Sequence, residues 1–176
     1  MTRNGNETST FSFFCFFSVC YATSSYAYDA ESAKSYEKMF APAVGAKTDS
    51  ELHYIKADAV IKKILAKEDL VFLDVRTPAE TAVFGMTLPN SLNIPVDQVF
   101  KPENLDRLPT DKTLIVICKS GTRASAIGTA LRHVGFDKAY ILRDGYQEFS
   151  KAYGSQEANP DESKAKEEPE KGKTKK

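Results

Sequence analysis

Short apolar runs alternate with helical patterns of apolar residues between Glu51 and Gly154. The runs LVFLDV (Leu70 to Val75) and TLIVIC (Thr113 to Cys118) are nearly continuous, as expected of strands that are covered on both faces. A segment with helical features follows each run. Since strands that alternate with helices form parallel sheets, the pattern predicts an α/β fold with a mostly parallel central sheet and helices on both faces.

The other predicted elements are shorter. In chain order they are a strand over Glu51 to Ile55, a helix over Ala57 to Lys67, a helix from Thr77, an apolar segment at SLNIP (91–95), one helical turn over Val96 to Phe100, a helix over Gly121 to Phe136, a strand over Ala139 to Leu142 and a helix over Tyr146 to Tyr153. Thr77 is a predicted N-cap, because Pro78 occupies the first helical position and Glu80 completes a capping box.

The start of the chain has the features of a secretory signal peptide. FSFFCFFSVCYA (Phe11 to Ala22) is an apolar run of 12 residues, too short to span a bilayer. It follows Arg3 and precedes small and polar residues that end at Ala27. These features predict that residues 1–27 form a cleaved signal peptide and that the protein is exported to the periplasm. A short buried helix and a lipoprotein signal at Cys20 are the alternatives.

Two further segments flank the predicted domain, which covers residues 51–154. Residues 28–50 include AESAKSYEKMF, which predicts a short amphipathic helix with Tyr36, Met39 and Phe40 on one side. Residues 155–176 carry six acidic and six basic side chains and no large apolar one, so they predict a disordered charged tail. The alternative for both segments is linker and solvated surface.

Composition excludes several classes of protein. The chain has 176 residues, enough for one domain with extensions, and its 24 basic and 24 acidic side chains give a formal net charge of zero. We therefore expect no nucleic-acid partner. After the first 30 residues no apolar stretch reaches 18 residues, so no stable membrane insertion is expected after signal cleavage. We expect a monomer.

Cleavage of the signal peptide would leave Cys118 as the single cysteine, which cannot form an internal disulfide. An unpaired thiol in an oxidising compartment calls for a function. His53 and His133 have no Cys or carboxylate partners at the spacing of metal ligands, and no Gly-rich nucleotide loop is present. We therefore expect no metal and no organic cofactor, and we expect both histidines at the surface or at an edge.

The segment IVICKSGTRAS indicates an anion site. Cys118 ends a predicted buried strand, Gly121 permits a tight turn, and Arg123 begins a helix. Loop N–H groups, the helix N-terminus, Lys119 and Arg123 all favour thiolate over thiol. We therefore expect a lowered pKa and a reactive, solvent-accessible sulfur at the rim of the sheet. The alternative is that Cys118 is one more apolar core residue.

At these residues the sequence resembles the rhodanese family, whose members are sulfurtransferases that carry sulfur as a cysteine persulfide. The resemblance extends from about Leu52 to Gly154. Its motifs are FLDVRTPAE (Phe72 to Glu80), LNIP (Leu92 to Pro95), VICKSGTRAS (Val116 to Ser125), GF (Gly135 and Phe136) and ILRDGYQEF (Ile141 to Phe149).

The resemblance implies roles for individual residues. Cys118 would take the sulfane sulfur, and a loop would cradle the persulfide and the substrate; the loop residues are Lys119, Ser120, Gly121, Thr122 and Arg123. Asp74 and Arg76 would support the site. The alternative for this last pair is an ion pair that fixes the end of a strand.

Loop length and four departures from the family pattern bear on the substrate. Related phosphatases have five residues between Cys and Arg, whereas four lie between Cys118 and Arg123, which favours a single sulfur atom over a phosphoryl group. The departures are GMTLPNS (85–91) in place of GHIPGA, Phe149 in place of Trp, Asp144 with Gly145 in place of a Gly pair, and Glu80 in place of a substrate-holding Arg of the two-domain enzymes.

The sequence thus predicts a sulfurtransferase. A small sulfur-containing anion such as thiosulfate would be the donor, and the acceptor would be a thiol, a cyanide-like nucleophile or a protein. The alternative is a non-enzymatic persulfide carrier or binding module, with the N-terminal helix or the charged tail as its docking element.

Overall fold

A computed structural model describes residues 27–158, and within that range five strands form a single parallel sheet. The strands are β1 (Tyr54–Ile55), β2 (Leu70–Asp74), β3 (Ser91–Asn93), β4 (Thr113–Ile117) and β5 (Ala139–Leu142). Their order is β1-β5-β4-β2-β3, and every neighbouring pair is parallel. The α/β fold with a parallel central sheet that the sequence predicts is therefore confirmed.

Seven α-helices connect and cover the strands in this range. They are α1 (Ala30–Phe40), α2 (Thr48–Glu51), α3 (Ala57–Leu65), α4 (Pro78–Val83), α5 (Pro102–Leu105), α6 (Thr122–His133) and α7 (Gly145–Ala158). Two turns of 3-10 helix cover Gly45–Lys47 and Val96–Gln98. The capping box expected at Thr77 is present, since the Thr77 hydroxyl accepts from the Glu80 N–H and the Glu80 carboxylate accepts from the Thr77 N–H.

Some boundaries differ from those predicted. The strand expected over Glu51 to Ile55 begins only at Tyr54, because α2 includes Glu51 and His53 has a left-handed backbone with a φ of 59°. The apolar pattern does not predict α5, a single turn with Pro102 in its first position. The predicted signal peptide up to residue 26 and the predicted tail from residue 159 lie outside the described residues.

The last helix is longer than expected. It continues past Tyr153 to Ala158, so the first residues of the predicted charged tail, 155–158, belong to a helix. Gln and Ala in this stretch are good helix formers, and the helix needs no apolar face of its own there because its earlier turns are already packed. The short helix expected at AESAKSYEKMF is present as α1, whose Tyr36 ring stacks on His133 of α6 with the ring centroids 4.1 Å apart.

Two apolar clusters lie on opposite faces of the sheet. Leu73 and Val116 belong to one cluster with Leu131 of α6. Phe72 and Ile115 belong to the other cluster with residues of α3 and α7. Because alternate side chains of β2 and β4 enter different clusters, both strands are apolar at almost every position. The carboxyl ends of these two central strands meet at one edge of the sheet, where ligands bind in folds of this kind.

Candidate active site

Cys118 follows β4 directly and lies against the N-terminus of α6. The turn after it ends at Gly121, whose φ of 88° lies in the left-handed region, and Thr122 begins the helix. The main-chain N–H of Ala124 donates to the Cys118 sulfur at 3.4 Å. A helix N-terminus carries partial positive charge, so the sulfur lies in a locally positive field.

The start of α7 holds the loop from the other side. The N–H of Tyr146 donates to the carbonyl of Cys118 at 2.8 Å, and the N–H of Gln147 donates to the carbonyl of Lys119 at 3.5 Å. Gly145 permits this close approach: a Cβ at its position would lie 2.5 Å from the carbonyl carbon and oxygen of Lys119 and from the Ser120 nitrogen. The loop carbonyls are thus turned toward α7.

The N–H groups of the same loop are available to a ligand. Among the hydrogen bonds of residues 27–158, none has the main-chain N–H of Ser120, Gly121, Thr122 or Arg123 as its donor. Successive N–H groups without protein acceptors form an anion-binding nest. The loop residues Lys119 to Arg123 therefore surround these N–H groups, and the side chains of Lys119 and Ser120 are exposed at the edge of the loop.

Arg123 is committed to an ion pair. Its two terminal nitrogens donate to the two carboxylate oxygens of Glu80 at 2.8 and 2.7 Å. The pKa of the Glu80 carboxyl is lowered to about 2. The hydrogen bonds from Arg123 are the largest cause, and the Thr77 N–H lowers this pKa further. The sequence predicts that Lys119 and Arg123 add positive charge beside Cys118. The structure shows that Glu80 neutralises the charge of Arg123.

The sulfur itself is covered. Cys118 is only 1% exposed, so the prediction of a solvent-accessible sulfur is wrong. The start of α6 packs on it through the Ala124 N–H, and the pKa of Arg123 is raised mainly by Glu80 and in part by Cys118. A donor can therefore reach the sulfur only when neighbouring side chains move.

Asp74 and Arg76 form a buried ion pair at the carboxyl end of β2. The Arg76 guanidinium donates to both carboxylate oxygens of Asp74, at 2.9 Å from Nε and 2.6 Å from a terminal nitrogen. It also donates to the carbonyl of Phe84 at 2.9 Å, and the Tyr146 ring lies 3.8 Å from its central carbon. Of the two roles considered from the sequence, the structure shows the ion pair, which ties β2 to α7 and to the segment after α4.

Sequence reasoning missed three residues that hold the loop. Tyr146 contacts Arg76 through its ring and Cys118 through its main chain. Tyr54 donates to the Ser125 hydroxyl at 2.9 Å, and Ser125 donates to the carbonyl of Gly121 at the same distance. Tyr146 lies in the motif ILRDGYQEF, which was a usable signal, whereas nothing local in the sequence indicates the contact between Tyr54 and Ser125.

Both histidines lie away from this site. His53 is half-buried, its Nδ1 lies 3.2 Å from the carbonyl of Ala139, and burial lowers its pKa. His133 is partly exposed and stacks on Tyr36. Within residues 27–158 no group of three or more His, Cys, Asp or Glu side chains is arranged to hold a metal ion. In the same range no helix combines the length and the apolar character needed to cross a bilayer.

Comparison with known proteins identifies the family. The model of the rhodanese-like domain matches residues 57–152, more than half of the chain, so the chain belongs to the rhodanese-like domain family. A sulfurtransferase from Allochromatium vinosum is 30% identical over 91 residues, which cover 52% of this chain and 81% of that protein.

Other relatives are longer or are known by structure. The tRNA uridine(34) hydroxylase of Salmonella newport is 30% identical over 102 residues, which cover 56% of this chain and only 28% of the hydroxylase. The crystal structure of a rhodanese-like domain protein from Staphylococcus aureus is 27% identical, with a TM-score of 0.48, and the match covers 55% of this chain and 89% of that one.

Replacing Gly145 with alanine is expected to disrupt the loop. The added Cβ would overlap the main chain of Lys119 and Ser120, which cannot move aside as a flexible side chain could. We expect Gly145→Ala to lower the free energy of unfolding, measured in urea. The loss should exceed that of a matched control substitution by about 1–3 kcal/mol. The Tyr146 amide should also lose protection from hydrogen exchange.

Gly45→Ala is the matched control. Gly45 has a φ of 58°, close to the 69° of Gly145, but a Cβ there would meet nothing within 4 Å. Both substitutions share the cost of a left-handed alanine, and only Gly145→Ala adds a clash. Equal stability losses in the two variants would contradict the proposed packing of α7 on the loop.

The ion pair of Glu80 with Arg123 should make stability depend on pH. Folding lowers the carboxyl pKa from its ordinary value of 4.5 to about 2. The pair therefore stabilises the folded protein fully above about pH 4.5, and this contribution is lost as the pH falls toward about 2. We expect the stability advantage of wild type over Glu80→Gln, measured by urea unfolding, to be smaller at about pH 3 than at about pH 6. An advantage that does not change with pH would show that the pair is not formed in solution.

Proposed function

We propose that the protein is a sulfurtransferase that moves a sulfane sulfur from a donor such as thiosulfate to a nucleophilic acceptor through a persulfide on Cys118. Family membership supports the general class of reaction, and one relative is itself a sulfurtransferase. The observation that carries the proposal for this chain is the position of the Cys118 sulfur. It receives the Ala124 N–H at the start of α6, inside a loop whose N–H groups have no protein acceptor in the described range.

The first step forms the persulfide. The Cys118 thiolate attacks the outer sulfur of thiosulfate, a bond forms between the two sulfur atoms, and the bond from the outer sulfur to the sulfonate sulfur breaks. Sulfite leaves with the electron pair, so that a thiolate and thiosulfate become a persulfide anion and sulfite with no change in total charge. The nest would bind the donor oxygens and the terminal sulfur of the persulfide.

The second step regenerates the enzyme. A nucleophile such as cyanide or a thiolate attacks the outer sulfur of the persulfide, and the Cys118 thiolate leaves. With cyanide the product is thiocyanate, and no external oxidant or reductant is consumed. A covalent intermediate of this kind gives ping-pong kinetics. Preorganised N–H donors that face developing negative charge typically contribute about 3 kcal/mol each to catalysis.

A persulfide carrier or binding module for a partner protein is the second candidate. The burial of Cys118 favours this role, because a covered sulfur would be protected from small oxidants until a partner opened the loop. Exposed apolar side chains also lie next to the site: Phe84, whose carbonyl accepts from Arg76, is 66% exposed, and Val83 beside it is 70% exposed. Such side chains on a surface suit contact with a protein.

Replacing Cys118 with serine separates the candidates. We expect wild-type protein to convert thiosulfate and cyanide to thiocyanate and sulfite, and the Cys118→Ser protein to show no turnover above background, because a neutral hydroxyl is a poor nucleophile at neutral pH. The measurements are thiocyanate formation and the intact mass after treatment with thiosulfate.

Each outcome has a distinct meaning. Turnover by wild type together with a persulfide mass on Cys118 supports the enzyme, whereas a persulfide mass without turnover supports the carrier. Equal turnover by wild type and a folded Cys118→Ser protein would exclude Cys118 as the reacting residue. Thermal unfolding of both proteins provides the control for folding.

We also infer export to the periplasm. The support is the apolar run at Phe11 to Ala22 and the small residues that follow it. Fractionation of cells that express the full chain is expected to place a protein that begins after Ala27 outside the cytosol, as read by N-terminal sequencing. Recovery of the uncleaved chain in the cytosol would contradict this inference.

A further inference from the structure

We propose that Glu80 sets donor specificity at the sulfur-transfer site by occupying the Arg123 guanidinium, so that donors with a single negative charge are favoured over dianions such as thiosulfate. This inference rests on the proposed function and names the charge class of its substrate. Glu80 acts through Arg123, so it is a positioning residue and not a catalytic residue.

The geometry of the pair leaves Arg123 poorly suited to bind a donor. Two parallel hydrogen bonds, of 2.8 and 2.7 Å, join its terminal nitrogens to the Glu80 carboxylate. Arginine binds carboxylates and sulfur or phosphorus oxyanions with this same fork, so Glu80 already occupies the arrangement that a donor would need.

Glu80 is also held from its own helix. One oxygen of its carboxylate accepts from the Thr77 N–H at 2.9 Å and from the Thr77 hydroxyl at 3.0 Å, as part of the capping box of α4. A donor that displaced Glu80 from Arg123 would have to disturb this cap or leave the carboxylate facing the incoming anion. Glu80 and an anionic donor would therefore compete for the guanidinium of Arg123.

The charges around the sulfur support the same conclusion. Lys119 and Arg123 are positive, Glu80 is negative, and the attacking thiolate adds a second negative charge. The Asp74 and Arg76 pair behind the site is neutral. A donor therefore meets a site without net positive charge, which penalises a dianion more than a monoanion.

Thiosulfate and methanethiosulfonate form a suitable pair of donors. Both present a terminal sulfane sulfur, but thiosulfate is a dianion and methanethiosulfonate is a monoanion. Attack by the Cys118 thiolate releases sulfite from the first and methanesulfinate from the second, each with the electron pair of the broken sulfur–sulfur bond. The same persulfide is formed, so the subsequent step with cyanide is common to both donors.

The test is the ratio of kcat/KM for thiosulfate to kcat/KM for methanethiosulfonate. Glu80→Gln keeps the size of the side chain and an oxygen that can accept from the Thr77 N–H, but removes its charge. We expect the ratio to rise roughly tenfold in this variant, the order of effect for unit charges about 6 Å apart at a partly exposed site. A merely structural role of Glu80 would lower both kcat/KM values together and leave the ratio unchanged.

Two controls isolate the charge. Thr77→Ala weakens the cap of α4 but keeps the Glu80 carboxylate, and Glu68→Gln removes an exposed carboxylate that pairs with Lys63 far from the site. Both controls are expected to keep the wild-type ratio within about twofold, because neither changes the charge beside Arg123. A rise in Thr77→Ala as large as in Glu80→Gln would overturn the assignment to charge.

A second measurement needs no sulfur-transfer activity. Cys118 of the full chain is alkylated with iodoacetate, an anion, or with iodoacetamide, which is neutral, and the rates are read by mass spectrometry of the peptide that contains Cys118. The rate ratio of iodoacetate to iodoacetamide is expected to rise several-fold in Glu80→Gln. This outcome supports the charge effect even if thiosulfate turnover is absent, so failure of the proposed function and failure of this inference remain distinguishable.

Wild type alone provides a further test if Glu80→Gln does not fold. Its alkylation ratio in the folded state is expected to exceed the ratio in urea by less than about threefold, because the loop amides attract the anion while Glu80 cancels the charge of Arg123. A folded-state ratio about tenfold or more above the value in urea would show that Glu80 does not cancel this charge and would overturn the proposal. An unchanged ratio in a folded Glu80→Gln protein, in both the kinetic and the alkylation measurements, would also overturn it.

Discussion

The contact between the first turn of α7 and the loop after β4 is the constraint on which the site depends. Gly145 lets the main chain of α7 approach that of the loop more closely than a residue with a Cβ would permit. The N–H of Tyr146 donates a hydrogen bond to the carbonyl of Cys118. Because the carbonyls of the loop are held by α7, its N–H groups can serve a ligand. The anion site is thus a consequence of main-chain packing between elements that are far apart in sequence, and it does not depend on any single charged side chain.

Two ion pairs then determine the charge of this edge of the sheet. Asp74 neutralises Arg76 in the interior, where an unpaired guanidinium would be costly to bury. Glu80 neutralises Arg123 at the surface, where the pair is about one-third exposed. The main-chain amides and Lys119 are therefore left to attract an anion. Such a site suits a small sulfur species held close to the backbone better than a highly charged oxyanion.

The burial of Cys118 bears on the proposed sulfur transfer. While the start of α6 covers the sulfur, it is shielded from solvent and oxidants. The proposed transfer would require this cover to open. The residues beside it, Lys119 and Ser120, are exposed, whereas the base of the loop is fixed by α7 and by Ser125, which donates to the carbonyl of Gly121. Movement is therefore expected in side chains above a fixed main chain.

Local sequence patterns predict the parallel sheet, the cap at Thr77 and the place of Cys118 at the end of a central strand, because these features depend on apolar periodicity, capping residues and a motif within one loop. The burial of the sulfur, the pairing of Glu80 with Arg123 and the contact of α7 with the loop follow from tertiary contacts alone. These contacts join residues 43 positions apart in one case and join a helix to the loop after β4 in the others, so helix and strand propensities do not encode them. They arise when the sheet brings the ends of β2, β4 and β5 to one edge, where charges and main chains that are distant in sequence must pair.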